Sequence, residues 1–276
     1  MHLAICISLA GCNSVFYQPD SIRYGDPASL GFALESRQIE TRSQAKIDAI
    51  LLRAVGKKKG TVVHFHGNAQ NMTAHLGFTY WIPEHGFDLY IFDYQGYGAS
   101  QGSPSRQGTI DDGVAVLQDA LRLSDGKPVF VLGQSLGAAV GFVSTALTPP
   151  QEVCALVFES GFDSYRLVVR DKLSDIWFMW PFQYPLSYLF TDEYAPRDYV
   201  DRMRQPILFL HGAADHVVPL SSGKRLYDAY QGPVKKWIEL PGAGHTPFLG
   251  DPKSSYRRVV IDFLEESSKG CAGAPR

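Results

Sequence analysis

The chain has 276 residues, of which 45% are hydrophobic and 12% aromatic, with 26 Lys and Arg against 28 Asp and Glu. This balance excludes a disordered tail protein, a collagen-like fibre and a disulfide-rich miniprotein. A formal charge of -2, with no basic run beyond residues 57–59, argues against a nucleic-acid-binding protein. No apolar run reaches the length of about 18 residues that predicts a transmembrane helix.

The N-terminal residues resemble a bacterial lipoprotein signal. An apolar run over residues 3–10 ends in Leu-Ala, which Gly11 and Cys12 follow; the run has the length of the apolar h-region of a signal peptide and is too short to span a membrane. In such signals a peptidase cuts before the cysteine, which becomes the lipidated first residue. The resemblance implies a signal over residues 1–11 and a lipid anchor at Cys12 in the cell envelope, on the outer membrane if the host has one. The positive charge usual at the start is missing, and a cytoplasmic protein with a packed apolar N-terminus is the alternative.

Short apolar runs then alternate with longer segments of helical character, which is typical of a parallel sheet covered by helices on both faces. Two antiparallel strands are predicted first, followed by six more. The eight predicted strands are 32–40, 47–53, 61–65, 89–92, 129–132, 155–158, 207–210 and 236–239. Helices are predicted near 69–82, 106–123, 136–147, 222–230 and 252–266. The sequence thus predicts a single α/β domain over residues 12–266, with a mostly parallel eight-stranded sheet.

One segment, 163–200, interrupts this alternation after the sixth strand. It is much longer than an ordinary connection and is rich in aromatic residues, with Trp177 and Trp180 among them. We expect a small cap-like insertion folded over one end of the sheet. Two interpretations stay open: its rings line a pocket for apolar substrates, or they pack the top surface of the domain.

The cysteines show no spacing typical of a metal site. Cys154 opens an apolar strand and is expected to be a buried, inert thiol. Cys271 lies in a tail rich in Gly, Ala and Ser, residues 267–276, which we expect to be disordered. A pairing of Cys154 with Cys271 stays open, although a cysteine inside a strand rarely pairs with a loose tail.

Residues 133–137 read G-Q-S-L-G and match the pattern G-x-S-x-G. The pattern is common by itself, but here it follows the strand at 129–132 and opens a helix of small residues. This strand–turn–helix arrangement is that of a nucleophile elbow, where glycines permit a strained turn and the helix N-terminus favours developing negative charge. We therefore predict Ser135 as the nucleophile.

A serine hydroxyl needs a base to take its proton, and in the chain order Ser, acid, His the base comes last. His245, in a Gly-rich loop after the last strand, is the one histidine beyond residue 216 and is the predicted base. Asp215 directly follows the strand at 207–210 and is the predicted acid that orients the imidazole. Asp163, one strand earlier, is the runner-up acid.

A tetrahedral oxyanion needs two hydrogen-bond donors. One is expected to be the backbone N–H of Leu136, the residue after the nucleophile. The other is expected from the turn after the strand at 61–65, where H-G-N occupies residues 66–68: the Asn68 N–H, with Gly67 as the fallback. As an alternative, the Asn68 side chain caps the following helix. We expect structural roles for three other histidines. His64 is expected to pack in the core, while His211 and His216 are expected to shape the loop that carries Asp215.

Five motifs in the same order resemble those of the α/β-hydrolase superfamily. They are H-G-N at 66–68, D-Y-Q-G-Y-G-A-S at 93–100, G-Q-S-L-G at 133–137, H-G-A-A-D at 211–215 and G-H at 244–245. The sequence is most similar to the BEM46-like branch of serine hydrolases, over residues 55–267. The resemblance implies the α/β-hydrolase fold, a triad of Ser135, Asp215 and His245, and no metal or organic cofactor. It also implies a structural role for the loop at Asp93 and a pocket lined by the insertion.

We accordingly expect a serine hydrolase that cleaves carboxylic esters or thioesters, of small-molecule or acyl type, through an acyl-enzyme on Ser135. An aminopeptidase-like hydrolase is the alternative within enzymes, because one fold carries many chemistries. A catalytically silent lipoprotein of the same fold, which binds an envelope partner, is the alternative from another class.

Overall fold

The apolar runs form one eight-stranded sheet in the computed structural model, which describes residues 16–149, 152–246 and 248–271. The strands are β1 (Leu34–Glu40), β2 (Lys46–Leu52), β3 (Gly60–Phe65), β4 (Phe87–Phe92), β5 (Val129–Gln134), β6 (Val153–Glu159), β7 (Ile207–Gly212) and β8 (Lys235–Leu240). Their order across the sheet is β1-β2-β4-β3-β5-β6-β7-β8. Strand β2 is antiparallel to both its neighbours and the other pairs are parallel. The predicted mostly parallel sheet is confirmed.

Helices cover both faces of this sheet, as predicted. They are α1 (Met72–Thr79), α2 (Arg106–Arg122), α3 (Leu136–Leu147), α4 (Tyr165–Ser174), α5 (Gln183–Ser187), α6 (Leu220–Ala229) and α7 (Tyr256–Cys271). Side chains alternate along β3: Val63 packs with α2 and α3 on one face, whereas Val62 packs with α1 and α7 on the other. Because the strands are mostly parallel, their carboxyl ends meet at one edge, where the loops that follow them can combine into a site.

The C-terminal helix differs from its prediction at both ends. Helix α7 begins at Tyr256 rather than near 252, and it continues to Cys271 through the first part of the tail predicted to be disordered. Buried Val260, Ile261 and Leu264 hold it on the sheet. Cys271 forms a disulfide with Cys154 of β6, with Cα atoms 5.8 Å apart. The prediction of a free, inert thiol at Cys154 was therefore wrong, since the helix carries Cys271 back to the strand.

The insertion at 163–200 contains α4, α5 and the short 3-10 helix Trp180–Phe182, and a second 3-10 helix, Pro196–Arg202, begins within it. Hydrogen bonds and an ion pair join its two ends, which form its base. The Ser164 hydroxyl donates to Asp192, the Asp192 carboxylate pairs with Arg197 at 2.7 Å, and the Arg197 N–H donates to the Asp163 carbonyl at 3.0 Å. Arg106 of α2 also donates to the carbonyl of Thr191. The insertion thus has a fixed base from which its central part extends.

The predicted signal at 1–11, the lipidation residue Cys12 and the end of the tail lie outside the described residues. Within the described ranges, no helix combines the length and the apolar character that crossing a bilayer requires.

Candidate active site

Ser135 lies in a strained turn between β5 and α3, with φ 56° and ψ -118°. Its flanking glycines are required because no side chain fits at either position. A Cβ at Gly133 would lie 2.5 Å from the Ala138 Cα, and one at Gly137 would lie 2.0 Å from the Phe65 carbonyl oxygen. The Ser135 N–H donates to the Glu159 carbonyl of the adjacent β6 at 2.9 Å. The backbone therefore fixes the serine at the carboxyl edge of the sheet, as a nucleophile elbow requires.

The structure brings Ser135, Asp215 and His245 together in one hydrogen-bonded chain. His245 Nε2 lies 2.9 Å from Ser135 Oγ, and His245 Nδ1 lies 2.8 Å from Asp215 Oδ2. The loops after β7 and β8 cross closely to achieve this, since a Cβ at Gly212 would lie 2.3 Å from the Gly244 carbonyl oxygen. The imidazole can therefore take a proton from the serine while the carboxylate holds its other nitrogen.

Asp215 is held as a carboxylate. Its side chain is fully buried, and burial by itself would raise its pKa. The hydrogen bond and charge of His245 outweigh burial, together with the Val217 and Val218 amides that both donate to Oδ1 at 2.9 Å. The pKa of Asp215 is consequently lowered. The carboxylate stays ionised at neutral pH and can stabilise an imidazolium.

The runner-up acid has a different partner. Both oxygens of Asp163 accept from the Arg225 guanidinium, at 2.9 and 3.0 Å. Burial raises the pKa of Asp163 in spite of this ion pair. The structure therefore engages Asp163 in a bidentate pair near the insertion base, whereas Asp215 contacts His245.

The three histidines expected to be structural have contacts away from Ser135. His64 is fully buried, donating from Nε2 to Gln134 at 2.8 Å and accepting at Nδ1 from Thr79 at 2.9 Å, and burial lowers its pKa far below the usual range. His211 donates to the Val218 carbonyl at 3.0 Å, which shapes the acid loop. The carbonyl of His216 accepts from Lys172 of the insertion.

Asn68 and Leu136 both line the cleft beside Ser135. Leu136 is the first residue of α3, where backbone N–H groups have no acceptor within the helix. The Asn68 carbonyl accepts from the Gln18 N–H at 2.8 Å and from the Tyr97 hydroxyl at 2.7 Å, which fixes the orientation of the turn. Nothing in the sequence signalled the contribution of Gln18, because that contact joins distant parts of the chain.

The Asn68 side chain does not cap helix α1, which was the alternative role considered for it; Asn71 caps this helix. The helix begins at Met72 instead of near 69, and the Asn71 side chain accepts from the Thr73 N–H at 3.0 Å. Asp93 supports the same helix end, accepting from the Met72 N–H at 2.7 Å. Ser100 in turn donates to the Asp93 carbonyl at 2.8 Å. The loop after β4 thus braces the turn that carries Asn68.

A cleft of about 530 Å³ opens over Ser135 and is largely apolar. The residues of the insertion that line it include Val168, Leu173, Ile176, Leu186, Leu189 and Phe190. Phe16, just after the N-terminal segment, also lines the cleft and was not predicted. Neither interpretation describes the rings of the insertion as a group: Phe190 lines the cleft, whereas Trp177 and Trp180 do not line it and are largely exposed to solvent.

Comparisons with known proteins agree with this architecture. Residues 56–177 match the hydrolase family described as serine aminopeptidase, S33. The chain is 30% identical to the uncharacterized protein YfhR of Salmonella typhi over 283 residues, covering 95% of this chain and 92% of YfhR. It is 28% identical to the protein bem46 of Schizosaccharomyces pombe, over 90% of this chain and 83% of bem46. The chain belongs to the α/β-hydrolase superfamily, in its BEM46-like branch, and is accordingly an enzyme of the hydrolase class.

A solved esterase of Pyrococcus furiosus has the same fold. The two structures superpose with a TM-score of 0.73 at 19% sequence identity, over 92% of this chain and 98% of that esterase. At this identity the similarity speaks for the fold alone.

Proposed function

We propose that the protein is a serine hydrolase that cleaves carboxylic esters or thioesters. The observation that carries the proposal is the hydrogen-bonded chain from Ser135 Oγ through His245 to the buried Asp215. In the proposed reaction His245 Nε2 takes the Ser135 proton as Oγ attacks the substrate carbonyl, and then gives that proton to the leaving alcohol or thiol. Water, activated by the same imidazole, releases the acid from the acyl-enzyme.

The oxyanion of each tetrahedral intermediate is proposed to lie between the N–H groups of Asn68 and Leu136. The N-terminus of α3 adds a favourable field for this negative charge. A preorganised donor of this kind is typically worth about 3–4 kcal/mol of barrier. No other group from the chain is needed for the cycle.

The cleft favours an acyl ester over a peptide with a free amino group. Among the described residues that line it, Asp175 is the one carboxylate, and most of the others are apolar. An aminopeptidase must hold a charged substrate amine, which an apolar wall does not do. The match of residues 56–177 to a family described as serine aminopeptidase is the observation that favours an aminopeptidase as the second candidate.

The test is fluorophosphonate labelling of the full chain beside Ser135→Ala and His245→Ala. We expect the wild type to label and both variants to lose labelling, because the probe reacts with an activated serine. Heat-denatured wild type is the control for nonspecific reaction. Equal labelling of wild type and Ser135→Ala, or no labelling of either, would contradict the proposal and favour the silent binding lipoprotein.

Rates on p-nitrophenyl esters, acyl thioesters and aminoacyl p-nitroanilides then separate the substrate classes. We expect hydrolysis of the esters or thioesters with a preference for longer acyl groups. Faster cleavage of the aminoacyl anilides would establish the aminopeptidase in place of the esterase.

We also propose that Cys12 carries a lipid anchor and that the domain lies in the cell envelope. The Leu-Ala-Gly-Cys run supports this, and so does the disulfide between Cys154 and Cys271, since stable disulfides are typical of oxidising compartments. Expression in a bacterium fed labelled palmitate tests the anchor. The wild type should acquire label and Cys12→Ala should not; equal incorporation would refute anchoring at this residue.

A further inference from the structure

The central part of the insertion carries an exposed aromatic surface that the proposed chemistry does not use. Residues 176–191 contain no Asp, Glu, Lys or Arg, and Trp177 is 85% and Trp180 61% exposed. The other large apolar side chains exposed in this run are Ile176, Phe178, Phe182, Tyr184, Tyr188 and Leu189. A concentration of exposed apolar side chains in one segment typically marks a surface that meets a partner or a membrane.

This aromatic surface is continuous with the mouth of the cleft. Ile176 and Leu189 are exposed and also line the cleft that contains Ser135. Whatever covers the surface therefore also lies at the entrance for substrate.

The surface has a basic rim in contact with its tyrosines. The Arg166 guanidinium lies 4.9 Å from the centre of the Tyr188 ring, and that of Arg170 lies 5.1 Å from the Tyr184 ring. Tryptophan and tyrosine favour the boundary between hydrocarbon and headgroups, and arginine beside them can meet lipid phosphates. Exposed tryptophan and tyrosine with arginine beside them is also the composition found where a protein surface meets lipid headgroups.

The N-terminal end of the described chain lies on the same side. Phe16 packs against Tyr165 and Phe190 of the insertion, with ring centres 5.1 and 6.0 Å apart. Cys12 precedes Phe16 by four residues, which span at most about 14 Å when extended. An anchor at Cys12 would thus hold the insertion close to the membrane rather than direct it away.

We propose that the aromatic surface docks on a phospholipid bilayer and presents the mouth of the Ser135 cleft to esters held in that bilayer. The delivery of esters rests on the proposed esterase function, whereas docking does not. Trp177, Phe178 and Trp180 enter the interfacial layer, and Arg166 and Arg170 meet the phosphates.

The test is sedimentation of the full chain with vesicles of phosphatidylcholine alone and of phosphatidylcholine with phosphatidylglycerol. Every protein carries Cys12→Ala, so that no acyl anchor contributes. The variant Trp177→Ala/Phe178→Ala/Trp180→Ala removes three exposed rings outside the cleft lining. We expect its partition coefficient to fall about 1,000-fold, because burial of each of the three aromatic side chains corresponds to about a tenfold change.

The matched control is Val55→Ala/Val234→Ala, which removes exposed apolar side chains that precede β3 and β8 at the opposite edge of the sheet. We expect this control to bind vesicles like the parent. Equal partition of the parent and the triple variant would overturn the proposal. Self-association of the parent that the triple variant loses, without vesicle binding, would also overturn it and assign the surface to a second copy of the chain.

Fluorophosphonate labelling of the same proteins tests the chemistry separately. Labelling that is unchanged in the triple variant, together with slower hydrolysis of a vesicle-embedded ester, supports the whole proposal. Vesicle binding without any labelling would support docking and contradict the esterase.

Discussion

The nucleophile elbow at Gly133–Gly137 and the insertion at 163–200 lie on two sides of one cleft, but they are held in opposite ways. The elbow is enclosed by backbone atoms, which a Cβ at either flanking glycine would meet within 2.5 Å. The insertion is fixed at its base by Ser164, Asp192 and Arg197, while the tip at Trp177 is exposed to solvent. The reacting atoms are thus held by close backbone packing, whereas the tip of the insertion carries exposed side chains whose replacement costs little stability.

The largest effect expected from this difference is that of Asp215→Asn. An amide at this position can hold His245 in the wrong tautomer, so we expect kcat to fall about 10⁴-fold while the fold persists. Steady-state ester hydrolysis and circular dichroism measure the two quantities. Asp163→Asn is the matched control: it breaks the pair with Arg225 and costs stability, but kcat should stay within tenfold of wild type. A larger loss in Asp163→Asn than in Asp215→Asn would reverse the assignment of the acid.

Gly137→Ala tests whether the backbone packing around the nucleophile elbow leaves room for a side chain at position 137. The new Cβ would lie 2.0 Å from the Phe65 carbonyl oxygen, and backbone atoms cannot move aside without distorting β3. We expect the free energy of unfolding in urea to fall by about 3 kcal/mol or more. Gly77→Ala in α1 is the control, because nothing lies within 4 Å of its Cβ position. It should raise stability by about 0.5–1 kcal/mol through helix propensity, and similar losses in both variants would show that the enclosure has no special role.

Asp112 is a buried carboxylate of α2 that holds the loop after β4, which begins at Asp93. Its carboxylate accepts from the backbone and side-chain N–H groups of Gln95, and burial raises its pKa to about 7. Because the folded state binds this proton more tightly than the unfolded state, the contribution of Asp112 to stability is present at acid pH and is lost as the pH rises from its unfolded pKa towards 7.

Urea unfolding at about pH 5 and about pH 8 measures this dependence. Asp112→Asn removes the titrating group, so the stability lost by wild type between the two pH values should exceed that of the variant by on the order of 2 kcal/mol. The pKa of buried Glu159 is also raised, but Glu159 is present in both proteins and cancels in the difference. Equal losses in wild type and variant would show that Asp112 does not titrate in this range.

The smallest effect is expected in the insertion. Leu186 lines the cleft, and Leu186→Ala should lower kcat/KM for long acyl esters about tenfold while acetate esters change little. Phe182→Ala is the control, since Phe182 is exposed and does not line the cleft. A uniform loss over all chain lengths would indicate that Leu186 supports the elbow rather than the acyl group.

The sequence allowed the central fold and the site positions to be predicted where the signal is local. The central parallel strands are nearly continuous apolar runs, and the turn at Ser135 requires glycines within two residues on either side. Asp215 and His245 follow strands in a set order, which placed them at one edge of the sheet. These features need no knowledge of distant contacts.

The missed features depend on contacts between distant residues. The disulfide between Cys154 and Cys271 joins positions 117 residues apart, and it required a helix where the composition indicated a loose tail. Phe16 lines the cleft because it packs on Tyr165 and Phe190, which no local pattern encodes. The start of α1 at Met72 follows from the Asn71 cap and from Asp93 in another loop.

The hydrogen bonds and ion pair among Ser164, Asp192 and Arg197 hold the two ends of the insertion together. The insertion is therefore a separate unit of the chain, here called the cassette. The chain enters and leaves the cassette at nearly one point, because the Arg197 N–H donates to the Asp163 carbonyl. Tyr165 and Val168 are buried in the main core and belong to the domain, but the central part at 176–191 is largely exposed and can take another length or composition without moving β6 or β7. Replacement of this one contiguous stretch can therefore change the wall of the cleft while Ser135, His245 and Asp215 keep their geometry.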